Sequence, residues 1–154
     1  MVYLYPLPKR MVDSSHVLFE SLPESWQHEL ADLHANFSEI ETLLIPGQYN
    51  PEGKIFAALT VEPRDVAVVL IGQDPYPNSE HAIGLAFAVP PGTSKLPPSL
   101  RNILKEVESD LGRPTSLNQI VQWPSQGVLM LNTHLTCEKG VPLSHQKFGW
   151  QNIT

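Results

Sequence analysis

A chain of 154 residues, 42% of them hydrophobic, has material for one sizeable core, and its length favours one domain over two. Its formal charge of −6 argues mildly against a broad nucleic-acid footprint. The excess is local, since residues 1–65 hold ten acidic side chains against four basic ones, and from residue 66 onward there are six of each.

Cys137 is the single cysteine, which excludes an internal disulfide and fits a reducing compartment, with packing as its ordinary role. Its N-terminal VYLYPLP is too short and proline-broken for a signal segment, and no apolar run reaches membrane-spanning length. The expectation is a soluble, cytoplasmic protein that makes no use of a membrane.

Residues 1–20 carry no clear period and read as an N-terminal extension, with the domain proper over 21–154. Trp26, Leu30, Leu33 and Phe37 then fall at spacings of three and four, one face of a helix opened by Pro23-Glu24. Ile40 to Leu44 continues the pattern, and Ile55, Phe56 and Leu59 mark a short helix. Val66 to Ile71 is a valine-rich run that suits a central parallel strand buried on both faces. A second strand is predicted over Leu85 to Val89, closed by Pro90-Pro91-Gly92. Ser99 opens a helix with apolar positions Leu100, Ile103, Leu104, Val107 and Leu111, stopped by Gly112 and Pro114. Val128 to Leu131 is the third strand. Strands separated by helices imply right-handed crossovers and an α/β fold, a three-layer sandwich with a short central parallel sheet flanked by helices. In such folds ligands bind at the carboxyl ends of the strands, and Gln73, Asp74 and Asn132 all fall there.

His16, His28, His34, His81 and His134 show no metal-ligand spacing, and no glycine-rich nucleotide fingerprint occurs. Neither a metal nor a nucleotide cofactor is expected. On its own, Asp74 reads as well as a turn aspartate, Phe87 as core, Asn132 as a strand-end asparagine and Ser99 as a helix cap.

Four stretches change that balance: VAVVLIGQDPY from Val66 to Tyr76, GLAFAV from Gly84 to Val89, LPPSL from Leu96 to Leu100, and GVLMLNT from Gly127 to Thr133. Together they resemble the family-1 uracil-DNA glycosylases, from about Leu22 to Thr154. The resemblance implies hydrolysis of the N-glycosidic bond of uracil in single- or double-stranded DNA, as in base excision repair, releasing uracil and leaving an abasic site. Such an enzyme flips the base out of the stack into a pocket. It must also stabilise positive charge on the sugar and negative charge on the departing base.

Carried over residue by residue, the resemblance makes Asp74 the catalytic carboxylate that positions water. Gln73 lays its main chain against a uracil carbonyl, and the Tyr76 ring fills the space a 5-methyl group would need. Phe87 stacks on the base, a contact worth about 1–3 kcal/mol. Asn132 distinguishes uracil from cytosine, whose donor and acceptor are reversed, and mismatched buried polar groups can reject a wrong partner by about 10⁴–10⁵. Ser99 contacts a DNA phosphate. Ser144-His145 with Gly149-Trp150 also matches a family segment, read here as structural.

Two departures stand out. Pro77 occupies the place of a common family histidine. The family's later His-Pro-Ser-Pro-Leu segment, which holds the departing uracil anion and wedges the duplex open, has no counterpart before Thr154. The fold is therefore expected to be truncated after its third strand, leaving Val128 to Leu131 with a bare edge prone to aggregation or pairing, where a complete protein would be a monomer. The alternative is a catalytically silent glycosylase remnant that binds DNA or a protein partner. An unrelated small-ligand α/β domain is a third reading.

Overall fold

The computed structural model describes residues 17–154. Three helices come first, α1 Val17–Glu20, α2 Glu24–Glu29 and α3 His34–Leu43, with a 3₁₀ turn at Ala31–Leu33 before α3. Leu18 of α1 is buried, so residues 17–20 of the predicted extension pack into the fold; the rest of that extension lies outside the described residues. The single helix expected through Trp26, Leu30, Leu33 and Phe37 is broken at Leu30, whose φ of −105° and ψ of 15° leave the helical region. The expected periodicity survives the break, because all four side chains turn to one core with Ile40, Leu59, Leu129, Leu131 and Trp150.

Aromatic rings tie the two ends of the described residues together through that core. Phe19 meets Phe37 at 5.4 Å, Phe37 meets Phe56 at 6.0 Å, and Phe56 meets Trp150 at 6.4 Å between centroids, all edge to face. The Trp26 indole also donates to the Val61 carbonyl at 2.9 Å, pinning α2 to the segment that leads into the parallel sheet.

β1 Tyr49–Asn50 pairs antiparallel with the later β4 Cys137–Glu138. β2 Val68–Gly72 pairs parallel with β3 Val128–Asn132, in register from Val68 opposite Val128 to Gly72 opposite Asn132. Between them run α4 Pro98–Leu111 and α5 Leu117–Ile120. Proline at the first position opens α4, where no intrahelical N–H is needed, and Gly112 at φ +63° closes it by donating to the Glu108 carbonyl at 2.9 Å. Ser99 is therefore the second residue of α4 and not its cap.

The pleat sends alternate residues of β3 to two clusters. Leu129 and Leu131 enter the large core, while Met130 joins Ala86, Ala88 and Ile120 in a second one on the opposite side of the pair. A parallel pair between two packed layers is the α/β sandwich expected. Among the described residues, no helix is long and apolar enough to cross a membrane.

Three further expectations fail. Leu85 to Val89 is not a strand: Ala86 gives its N–H to Met130 O at 3.0 Å, but Phe87 sits at φ +64°, and a left-handed residue cannot continue a ladder. β2 is not buried on both faces, since Val68, Val69 and Ile71 are about half exposed. The exposed apolar surface thus lies on β2, whereas β3, predicted to be the bare one, is buried along Leu129–Asn132 because helices and turns cover both its faces.

Candidate active site

Each expected site residue lines one cavity of about 230 Å³. It is bounded by Gln73, Asp74, Tyr76, Phe87, Ser99 and Asn132, with Pro75, Pro77 and the Ala82–Leu85 stretch completing the wall. This is smaller than the ~300–1,000 Å³ of pockets that take drug-sized ligands, and suits one planar ring.

The parallel register sets the floor. Gly72 and Asn132 are opposite one another at the ends of β2 and β3. A Cβ on Gly72 would overlap Oδ1 of Asn132 and come within 3.0 Å of the Ala86 Cβ. Glycine is required here for closeness of approach, since only a bare backbone lets the buried Asn132 amide lie across it.

The Gly72–Pro77 loop is held from behind through its carbonyls. Thr133 donates to Gly72 O from its N–H at 3.0 Å and its hydroxyl at 3.1 Å, and the His134 N–H reaches Gln73 O at 2.9 Å. The Cys137 thiol donates to Pro75 O at 3.4 Å. Asn50, 2% exposed, donates to Pro77 O at 2.8 Å, which also takes the Gly140 N–H at 2.9 Å. Pro77 thus contributes an anchored carbonyl where histidine would have offered a side chain. Burial, and then the negative charge of Asp74, push the Cys137 thiol up to about 12, so it remains a protonated donor.

Asp74 accepts the Leu143 N–H at Oδ2, 2.6 Å away. The opposite wall is closed by Tyr76, whose hydroxyl donates to Phe87 O at 2.9 Å and lies 3.5 Å from Ser99 Oγ. Burial raises the Tyr76 phenol above its ordinary value, with the Ser99 contact acting in the opposite direction; it stays neutral at physiological pH. The left-handed backbone that ends the expected second strand is therefore also what offers the Phe87 carbonyl to Tyr76.

Sequence reasoning missed Asn50, Thr133 and Leu143. Asn50 carries no signal, because its partners are carbonyls 26 and 27 residues later. Leu143 had an indirect one, since it adjoins the Ser144-His145 segment already singled out.

A small, partly polar cavity at the carboxyl ends of a parallel strand pair defines an α/β protein with a ligand site at its strand ends. Residues 60–152 match the model of the uracil DNA glycosylase superfamily, and the chain belongs to that superfamily. It is 44% identical over 143 residues to a uracil-DNA glycosylase of Acinetobacter baylyi, a match covering 86% of this chain and 60% of the relative. The uracil-DNA glycosylase of Campylobacter concisus is 42% identical over 139 residues, covering 84% and 60% respectively. Among solved structures, mimivirus uracil-DNA glycosylase superposes with a TM-score of 0.71 at 20% identity, covering 98% of this chain and 60% of that one. The UNG of Nitratifractor salsuginis does so with a TM-score of 0.66 at 23% identity, covering 88% and 68%. The chain spans about 60% of the length of the curated relatives it matches.

Proposed function

We propose that this chain hydrolyses the N-glycosidic bond of uracil in DNA, with Asp74 as the catalytic carboxylate and Gln73, Tyr76, Phe87 and Asn132 as the uracil pocket. The observation that carries this reading is that all of them, with Ser99, line one ring-sized cavity.

The chemistry follows from what the bond requires. Water adds to C1′ as the C1′–N1 bond breaks; the bonding electron pair leaves with the base as its anion, and the proton the water sheds ends on that anion, giving the abasic sugar and neutral uracil. The Asp74 carboxylate holds the water and offsets positive charge on the sugar; the Leu143 N–H occupies Oδ2, which leaves Oδ1 for the water. The Tyr76 ring, tied to Phe87 O, is a rigid obstacle to a 5-methyl group, because overpacking a fixed wall costs more than a methyl recovers. Phe87 supplies the stacking face, Asn132 reads the N3–H and O4 edge, and Ser99 meets the phosphate beside the first turn of α4.

The test is release of free uracil from a uracil-containing single strand by the 154-residue chain, beside Asp74→Asn. Release by the parent that falls by about 10²–10³ in the variant, the usual loss for an electrostatic stabiliser, would support the assignment. Equal release from both would remove Asp74 from its role. Uracil binding by a folded chain with no release from either would favour the silent remnant.

A further inference from the structure

The turn that delivers the Leu143 N–H to Asp74 is built with unusual care. Leu143 has φ +58°, a left-handed conformation that a leucine adopts only when its surroundings impose it. Ser144 fixes one side of the turn, its Oγ accepting the Glu138 N–H at 2.6 Å and donating to Val141 O at 2.9 Å. His145 fixes the other. It is buried, its ring stacks on Phe148 at 4.0 Å and 9°, and its Nδ1 lies 2.9 Å from Thr136 Oγ1.

That last bond shares its hydroxyl with a neighbour. Thr136 Oγ1 also receives the Trp150 indole N–H at 2.7 Å, and both residues are fully buried. Indole only donates, so the hydroxyl accepts from Trp150, and its one proton meets His145 Nδ1 when the imidazole is neutral and carries its own proton on Nε2. Burial, which lowers the His145 pKa, favours that neutral form. A proton on Nδ1 would leave the Thr136 hydroxyl proton without an acceptor in the core.

The geometry points to a positioning function for this relay: Trp150, Thr136 and His145 hold the 141–145 turn so that the Leu143 N–H meets Oδ2 of Asp74. His145 is thus a positioning residue, acting on the reacting atoms only through Asp74. The catalytic consequence rests on the reading of Asp74 given above; the coupling between the relay and the carboxylate does not.

Nuclear magnetic resonance of the ¹⁵N-labelled 154-residue chain tests the coupling directly. The Leu143 amide proton is expected well downfield, to move with the ionisation of Asp74, and to lose that movement in Asp74→Asn. In His145→Phe, which keeps a ring against Phe148 but removes the acceptor, the Leu143 amide should stop following Asp74. Its exchange with solvent should rise roughly ten- to a hundredfold, as for a lost hydrogen bond to a charge. His145→Gln, whose side-chain oxygen can accept from Thr136, should restore part of both signals. If His145→Phe does not fold, Thr136→Val removes the same relay with almost no change of shape and should show the same loss.

A Leu143 amide that ignores Asp74 in the parent overturns the inference. So does one that still follows Asp74 in the folded His145→Phe or Thr136→Val chain, where the relay would merely stabilise the fold. On chain that releases uracil, the same variants should lower kcat and leave KM near the parent value. Failure of the parent to release uracil would count against the proposed function and leave the amide result standing.

Discussion

β2 has two regions that contrast sharply. Its body is apolar yet half exposed at Val68, Val69 and Ile71, while the loop leaving it, Gly72 to Pro77, is polar and held at nearly every carbonyl. Loops are ordinarily the mobile part of such a pair. Here the buried partners converge on the loop, and the strand serves mainly to aim it. The lesson is that position relative to the core, and not secondary structure, decides which backbone gathers buried partners.

The sharpest way to break the comparison uses two residues directly opposite in register. Ile71 and Leu131 are paired, but Ile71 is 52% exposed and Leu131 is 8% exposed. Leu131→Ala should cost about 2–5 kcal/mol in denaturant unfolding, and Ile71→Ala about 0.5 kcal/mol or less. Similar losses would mean that β2 is covered in solution. Next in size, Gly72→Ala should destabilise by about 1–3 kcal/mol through overpacking against Asn132 and Ala86, with uracil affinity falling alongside when titrated. Retained affinity would detach Asn132 from the pocket.

A smaller change, Asn132→Asp, leaves the packing nearly intact and should erode the preference for uracil over cytosine, scored by comparing release from strands carrying either base. The slightest effect is a pH dependence. Burial holds the His145 imidazole below its ordinary value, with Glu138 pulling weakly upward. The folded state therefore binds the proton less readily than the unfolded chain. The stability this contributes is complete above about pH 6.5 and is lost as pH falls from there through the folded value. Unfolding midpoints at pH 7.5 and 5.0 should differ more for the parent than for His145→Gln.

Much of the fold and of the cavity is legible in the sequence. The run Val66 to Ile71 ending in Gly72-Gln73-Asp74 marks a strand and the cavity at its end, and Gly112 marks the stop of α4, because hydrophobic period and capping are local signals. Leu85 to Val89 misled for the same reason. Its composition is that of a strand, yet Phe87 is left-handed and its carbonyl is taken by the Tyr76 hydroxyl 11 residues earlier. The break at Leu30 is invisible in a spacing that survives it. Asn50, Leu143 and the relay behind them act through contacts across the fold, as does the exposure of β2, which depends on what packs beside it.

Cys137 makes the anchored loop measurable. A thiol held near 12 is almost wholly un-ionised at neutral pH, and only the thiolate attacks an alkylating reagent. Modification in the native chain must therefore wait for an opening that frees the sulfur, and the same opening releases its bond to Pro75 O. With no other cysteine in the chain, the rate of covalent labelling becomes a clock for how often the Gly72–Pro77 loop comes loose.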